Sequence, residues 1–225
     1  MDITLMQHSS LDVCAHAIRT CWQSFDKSDD GGDKDKDLIN RVGNKFKHAS
    51  TLEHLTYTFY IAGVSRALLQ ELARHRMASP SVKSTRYTLK ELKDEDTFSD
   101  GMSALELYEK YTNSDEVYAD IHMQRASKYL VFTGDLFTDF SSVVALDNLR
   151  LVLQSGVGND KAKFCLPESY KTELTWTINA RSLQNFISLR SSKAALWEIR
   201  DLALALYKAL PIDHQYLFQD CIAND

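Results

Sequence analysis

The residues with the clearest potential for chemistry lie in one short stretch, residues 74–87. It contains three permanent cations, Arg74, Arg76 and Arg86, together with the titratable imidazole of His75 and several serine hydroxyls. A proline in the middle prevents one continuous helix, so we expect a turn that gathers these groups. Arginine and serine donors suit a ligand that carries phosphate, whereas a solvated basic loop with a structural role is the alternative interpretation.

A second set of polar residues lies near the other end of the chain and consists of Asn179, Arg181, Asn185 and Arg190. Amide and guanidinium groups are costly to bury without partners, so an internal hydrogen-bond network is one interpretation. The presence of two such sets in one protein favours the other interpretation, in which both line a shared ligand pocket.

Neither set predicts an enzyme nucleophile or a metal centre. Ser84 has no candidate base beyond His75, and the segment from His48 to His54 lacks the His-Glu-x-x-His spacing of a zinc site. Cys165 lies between apolar neighbours, which predicts a buried and inert thiol. We therefore expect chemistry that needs neither a metal nor a covalent enzyme intermediate.

The hydrophobic pattern predicts the elements that must position these groups. Alternation over residues 55–61 predicts a half-buried strand that is broken by Gly63, and a helix then leads into the cationic stretch. Alternation over residues 174–178 predicts a second strand, followed by a helix with Arg181 and Asn185 on one face. Further helices are predicted at 12–24, 38–48, 103–132, 138–156 and 196–210, with exposed charged loops at 26–37 and 91–102.

Size and composition predict one α+β domain over residues 1–225, with a small central β-sheet flanked by several helices. The sequence is 44% hydrophobic and 25% charged, as is ordinary for a globular protein. A net charge of -5 argues against a nucleic-acid polymer as partner, and no apolar run predicts a membrane span. Scattered cysteines and an N-terminus unlike a secretory signal predict a cytoplasmic protein with reduced thiols.

The cationic stretch resembles the signature of flavin-dependent thymidylate synthases, in which Arg-His-Arg is followed after seven residues by a serine, here Ser84. The segment His48–His54 is similar to a second block of that family, and Trp176–Arg190 to a third. The resemblance implies a methyltransferase that passes the methylene group of methylenetetrahydrofolate to dUMP and yields dTMP. It further implies FAD as the mediator, NADPH as its reductant, and a homotetramer whose sites are built from several subunits.

The resemblance also assigns roles to individual residues. Those implied to bind FAD are Ser50, Glu53, Arg74, His75, Arg76, Asn179, Ala180, Arg181 and Asn185, with Ser24 as a weaker match. Those implied to bind dUMP are Glu71, Leu72, Ala73, Arg74, Val82, Lys83, Ser84, Thr85, Arg86, Lys163 and Arg190. Arg190 is implied to be catalytic, because a fixed guanidinium can stabilise an ionised pyrimidine N3 without giving up its own proton.

Five positions depart from the family pattern. Ser81 and Val82 stand where asparagine and glutamate are usual, and Glu71 stands where a glutamine is usual. Lys163 stands where an arginine is frequent, and Ala194 where some members have a histidine. A carboxylate at position 71 would repel a phosphate-bearing ligand unless it is paired, and Arg74, one helical turn later, is the expected partner. Val82 and Glu71 motivate an alternative hypothesis, a regulatory protein that binds nucleotide or flavin without turnover.

Overall fold

The computed structural model describes residues 1–114 and 116–223, which are arranged in two compact units. The first unit comprises Met1–Ala62, Gln70–Ser81 and Leu174–Asp225, and the second comprises Gly63–Leu69 and Val82–Glu173. That the two units form the single domain expected from composition stays a prediction. Within the described residues, no helix is both long and apolar enough to cross a lipid bilayer.

Four strands and ten α-helices make up the regular structure of the described residues, which confirms the predicted α+β class. The strands are β1 (Asp2–His8), β2 (Thr56–Ser65), β3 (Ala78–Val82) and β4 (Lys171–Asn179). The helices are α1 (Leu11–Thr20), α2 (Asp33–Ile39), α3 (Arg66–Leu72), α4 (Thr85–Thr88), α5 (Ala104–Tyr111), α6 (Ile121–Ala126), α7 (Leu136–Gln154), α8 (Asn159–Ala162), α9 (Ala180–Arg190) and α10 (Trp197–Ala209). Short 3-10 helices include Ala49–His54, Leu89–Asp94 and Lys163–Cys165, and a π-helical segment, Asn40–Lys45, continues α2.

The strands form one small sheet in the order β1-β2-β4-β3. Strand β1 pairs with β2 in antiparallel fashion, with Ile3 opposite Ile61 and Leu5 opposite Phe59, before a bulge that precedes Gln7. The sequence pattern did not single out β1, although Ile3 and Leu5 alternate with polar residues in the manner of a strand.

Burial alternates along β2 and β4, which confirms the two predicted strands. In β2, Phe59 and Ile61 are fully buried. In β4, Trp176 and Ile178 are at most 2% exposed. Helix α9 begins directly where β4 ends and packs against α10. The helices predicted at 138–156 and 196–210 are confirmed as α7 and α10.

Two predictions about chain breaks are wrong. Strand β2 continues through Gly63 to Ser65, because glycine accommodates the positive φ of 68° at that position without steric cost. Pro80 lies inside β3 and not in a turn. Strand β3 is at the edge of the sheet, where a residue without an N–H group is tolerated because one side of the strand needs no hydrogen bonds.

The charged segment predicted as an exposed loop at 26–37 is partly helical. Helix α2 begins at Asp33, and Asp35 is fully buried in an ion pair with Arg19. The segment at 91–102 also departs from a loop, because Leu92 is buried in the 3-10 helix Leu89–Asp94. The buried ion pair of Arg19 with Asp35 therefore orders the first segment, and the buried side chain of Leu92 orders the second. Composition alone predicts that both segments are exposed to solvent.

Two further predictions need correction. The helix predicted at 103–132 is divided, because the side chain of Asp120 accepts a hydrogen bond from the His122 backbone N–H and starts α6 as a separate helix. Cys165 is exposed and not buried. Its neighbour Phe164 is 84% exposed, so the apolar flank does not pack around the thiol.

Replacement of Gly43 by alanine is expected to lower the free energy of unfolding by about 1–3 kcal/mol, through overpacking. The added Cβ would lie 2.7 Å from Cδ2 of Leu52, a fully buried side chain that has little room to move. Urea denaturation measures the change. The matched control is Gly158→Ala, where the new Cβ meets nothing within 4 Å. Equal stabilities of the two variants would contradict the predicted clash.

Candidate active site

The first unit contains an open cleft with a volume of about 650 Å³, a size suited to a small-molecule ligand. Three segments form its walls: the chain that follows α3, the junction of β4 with α9, and the 3-10 helix Ala49–His54. The lining residues are Glu53, Arg74, His75, Arg76, Met77, Ile178, Asn179, Arg181, Ser182, Asn185, Leu189 and Arg190. The structure thus brings together residues from both polar sets singled out in the sequence.

The start of α9 is fixed by its own capping residue. The side-chain oxygen of Asn179 accepts a hydrogen bond from the backbone N–H of Ser182 at 2.9 Å. The helix then places Arg181 and Asn185 on the cleft side, one turn apart, as the sequence predicts. Leu189, one further turn along, also lines the cleft.

Arg181 connects α9 with the 3-10 helix Ala49–His54. Its Nη1 donates to Oε1 of Glu53 at 2.6 Å, and both side chains are about half exposed. Exposed ion pairs of this kind contribute at most about 1 kcal/mol to stability. The main effect of the ion pair is therefore to hold the guanidinium of Arg181 and the carboxylate of Glu53 together on the cleft wall.

Arg190, the last residue of α9, makes two polar contacts with the chain around α3. Its Nη1 donates to Oε2 of Glu71 at 2.9 Å, and its Nε donates to Nε2 of His75 at 3.1 Å. Glu71 also lies 3.7 Å from Nη2 of Arg74, which confirms the pairing expected between these two residues. The shorter contact with Arg190 was not predicted, because the two residues are far apart in the sequence.

Burial and the contact with Arg190 both favour the neutral form of His75. Burial lowers the pKa of His75 below its usual 6.5, and the neighbouring Arg190 lowers it further, while Glu71 acts in the opposite direction. Because Nε2 accepts a hydrogen bond, the ring is neutral and carries its proton on Nδ1. The edge of the ring packs against Phe186, with the ring centroids 4.8 Å apart.

Arg74 and Arg76 give the cleft its exposed positive charge. The side chain of Arg74 is 72% exposed, and Arg76 is exposed and has no ion-pair partner among residues 1–114 and 116–223. Two arginines that face solvent beside backbone and amide donors suit an anionic ligand.

Comparison with known proteins shows similarity to one enzyme family. The family model described as thymidylate synthase complementing protein matches residues 4–211. A flavin-dependent thymidylate synthase from Wolinella succinogenes is 63% identical over 218 residues, which cover 97% of each chain. A protein of the same name from Campylobacter jejuni is 61% identical over 225 residues, covering 100% of this chain and 99% of the other.

The chain belongs to the flavin-dependent thymidylate synthase family.

A solved structure extends the likeness to three dimensions. Thymidylate synthase X from Helicobacter pylori, crystallised with FAD and dUMP, has a TM-score of 0.87 and 52% identity, and the match covers 100% of both chains. The resemblance that rests on the sequence blocks is therefore confirmed at the level of family and fold.

The remaining family positions of the first unit lie outside the lining of this cleft. Ser50 is exposed on the 3-10 helix Ala49–His54, and Ala180 is fully buried at the start of α9. Leu72 is buried and Ala73 is exposed at the end of α3. Met77 and Leu189, which are 72% and 58% exposed, also line the cleft and were not predicted from the sequence.

The second unit holds the other positions that the flavin-dependent thymidylate synthase pattern assigns to the nucleotide. Ser84 precedes α4, which begins at Thr85, and Nε of Arg86 donates to Oδ1 of Asp160 at 2.9 Å. Nζ of Lys83 lies 3.2 Å from a carboxylate oxygen of Glu173.

Val82 and Lys163 are the two departures from the family pattern within the second unit. Val82 is exposed, and its side chain offers no polar group. Lys163 begins the 3-10 helix Lys163–Cys165, with its ammonium group 5.9 Å from the ring of Phe164.

A second cleft of the first unit, with a volume of about 590 Å³, contains the weaker family match Ser24. Cationic and aromatic side chains accompany the serine. Among the lining residues are Trp22, Lys27, Arg41, Phe46 and His48. Of the positions that the family pattern associates with flavin, Ser24 therefore lines the second cleft, whereas Ser50 and Ala180 line neither of the two.

Proposed function

We propose that this chain catalyses the reductive methylation of dUMP to dTMP, with methylenetetrahydrofolate as carbon donor, NADPH as reductant and FAD as bound cofactor. The observation that carries the proposal is the first cleft. It gathers Arg74, His75 and Arg76 from one sequence block with Asn179, Arg181, Asn185 and Arg190 from another. Family membership supports the same reaction class, a methyl transfer.

The donor set of the first cleft fits the chemistry of FAD. The dinucleotide carries two linked phosphates, and the exposed guanidinium groups of Arg74 and Arg76 offer charge-assisted, bidentate hydrogen bonds to such anions. The amides of Asn179 and Asn185 can donate and accept at the edge of a heterocyclic ring. The related Helicobacter pylori protein was solved with FAD. When bound, the flavin supplies the redox chemistry that protein side chains lack.

Arg190 is the residue to which we assign catalysis. Methylation at C5 of the pyrimidine requires electron density to be pushed from the N3 and O4 side toward C5, and a fixed cation stabilises the ionised N3 that supplies this density. A guanidinium group can stabilise charge without giving up its own proton, so Arg190 acts by charge and hydrogen bonding and not as an acid. The side chain is only 19% exposed, which strengthens its electrostatic effect on a ligand in the cleft.

The phosphate of dUMP is assigned to cations of the second unit. The basic side chains of this unit at positions that the resemblance assigns to dUMP are Lys83, Arg86 and Lys163. The hydroxyls of Ser84 and Thr85 stand at two further such positions. Arg86 is held by Asp160 through Nε only, so its other guanidinium nitrogens have no hydrogen-bond partner among the described residues. The related Helicobacter pylori protein was solved with dUMP as well as FAD.

We further propose a homotetramer whose flavin sites are shared between subunits. In support, the weaker flavin match Ser24 lines a different cleft of the first unit from Arg74, His75 and Arg181, and a second copy could bring the two clefts together. We also propose that each subunit is a single domain, because the family model matches residues from both compact units. The four cysteines are free thiols, in keeping with the proposed cytoplasmic location.

Purified protein is expected to be yellow, or to become yellow with added FAD, and to form dTMP. The test is anaerobic turnover with dUMP, methylenetetrahydrofolate and NADPH, with dTMP detected by chromatography and reactions lacking dUMP or NADPH as controls. Protein that binds no FAD would overturn the proposal. Protein that binds FAD and dUMP but forms no dTMP would support the regulatory hypothesis in its place.

A further inference from the structure

Arg190 is held by the protein on two of its three guanidinium nitrogens. Nη1 is engaged by Glu71 and Nε by His75, whereas the described residues provide no hydrogen-bond partner for Nη2. Arg190 and His75 line the first cleft, but Glu71 is not among the described residues that line it. The carboxylate therefore holds the arginine without itself being part of the described cleft lining.

We infer that Glu71 and the neutral imidazole of His75 are positioning residues for Arg190, and that protonation of His75 releases the guanidinium. The inference rests on the proposed function, because it concerns how Arg190 is presented to the pyrimidine. It also changes the role that family resemblance suggests for Glu71, from direct contact with the nucleotide to support of Arg190.

The hydrogen bond between Arg190 and His75 requires a lone pair on Nε2. An imidazolium ion carries N–H groups on both ring nitrogens, so it would present a donor to a donor and a positive charge to a positive charge. The proton in question comes from solvent and no covalent bond forms or breaks. Loss of this contact leaves Arg190 with one anchor, and a guanidinium with one anchor can rotate about that bond.

The charged groups that face His75 set the pH at which this happens. Arg190 approaches from α9, Glu71 from α3, and Arg74 and Arg76 flank it on its own segment, while Phe186 contributes only an apolar ring. Burial and Arg190 lower the pKa of His75 below 6.5, so the contact is intact at neutral pH and is lost on the acid side. Glu71 opposes this shift, so removal of its charge would lower the pKa of His75 further.

Glu71 has a second effect on the same wall of the cleft. Its two carboxylate oxygens lie 2.9 Å from Nη1 of Arg190 and 3.7 Å from Nη2 of Arg74. A carboxylate between two guanidinium groups reduces their mutual repulsion and restricts the rotation of the better buried one. A neutral amide can replace the hydrogen bond but not the charge.

The experiment compares FAD-loaded wild type with Glu71→Gln, Glu71→Leu and His75→Gln from about pH 5 to pH 8.5, a range that spans histidine titration. Calorimetry gives the dUMP dissociation constant, initial rates give kcat and KM, and visible absorbance and melting temperature report flavin content and folding. Near pH 8, Glu71→Leu is expected to lower kcat/KM for dUMP by about 10- to 100-fold, and Glu71→Gln to recover most of that loss.

The pH profile separates positioning from a purely structural role. Wild-type kcat/KM is expected to fall about tenfold per pH unit below the pKa of His75. Glu71→Gln should move this acid limb to lower pH, and His75→Gln, whose amide oxygen can accept from Arg190 but does not titrate, should abolish it. Should Glu71→Leu fail to fold, these two profiles still decide the question.

Two results would overturn the inference while leaving the proposed function intact. In the first, the wild type forms dTMP and the folded Glu71→Leu variant has a kcat/KM within twofold of the wild-type value. The other is an acid limb that stays in place in both Glu71→Gln and His75→Gln. If the wild type forms no dTMP, the proposed function fails, and the pH dependence of dUMP binding measured by calorimetry tests the positioning on its own.

Discussion

Replacement of Arg190 by alanine is expected to lower the rate of dTMP formation by about 10²- to 10³-fold while FAD remains bound. The magnitude is that of removing one preorganised charge or hydrogen-bond donor from the place where negative charge develops. Arg190 is four-fifths buried and lies at the end of α9, so its guanidinium acts in surroundings of reduced dielectric constant. The effect should appear mainly in kcat, because stabilisation of developing charge is absent from the ground state.

Single-turnover measurements with saturating dUMP give the chemical step directly, and visible absorbance gives the flavin content of each preparation. Arg200→Ala is the matched control, because Arg200 lies on α10 and its nearest acidic partner is 4.0 Å away. Its turnover should equal that of the wild type. An Arg190→Ala enzyme within a few-fold of wild type would disprove the activating role, and loss of FAD would assign Arg190 to cofactor binding.

Local pattern was sufficient for the elements that carry the site. In β2 and β4 alternate residues face a core, and such a strand can be recognised from its own sequence because its side chains repeat with a period of two. The helical spacing of Arg181 and Asn185 likewise fixes their common face before any tertiary contact is known. Both therefore line the cleft as predicted.

Contacts between distant segments could not be predicted in the same way. Arg190 meets Glu71 and His75 only because α9 and the end of α3 come together in the folded unit. Sequence spacing predicts the pairing of Glu71 with Arg74, one turn apart, and misses the shorter contact. The contact between Arg190 and His75 also changes the chemistry of the site, because it makes His75 a hydrogen-bond acceptor and not an isolated imidazole.

The same limit explains the wrong interpretation of residues 26–37. A run of Asp and Lys around two glycines has the composition of a solvated loop, and pattern rules treat each charge as exposed. Asp35 is instead fully buried, with its carboxylate surrounded by donors. Arg19 donates to Oδ1 through Nε and Nη2, while Ser28 and the backbone N–H of Gly31 donate to Oδ2. Arg19 also donates to the backbone carbonyl of Ser24, so one buried pair orders the segment that borders the second cleft.

The Asp35 network should be lost in acid. Burial by itself would raise the pKa of Asp35, but hydrogen bonds from Ser28 and Arg19 hold it below its usual 3.8. A carboxyl group with a depressed pKa in the folded state stabilises the protein at pH values above its unfolded pKa. That contribution decreases as the pH falls below about 3.8 and disappears below the folded pKa.

Replacement of Asp35 by alanine is therefore expected to lower the free energy of unfolding at neutral pH by about 3–5 kcal/mol, because it leaves the buried guanidinium of Arg19 without its counter-charge. Arg19 is only 5% exposed and cannot recover full hydration without local unfolding. Urea denaturation monitored by circular dichroism measures the change. The matched control is Asp201→Ala, whose carboxylate is 55% exposed and whose removal should alter stability by less than about 0.5 kcal/mol. If both aspartate variants lost less than about 1 kcal/mol, the burial of the Arg19 pair would have no energetic consequence, and the ordering of the second cleft would have to depend on other contacts.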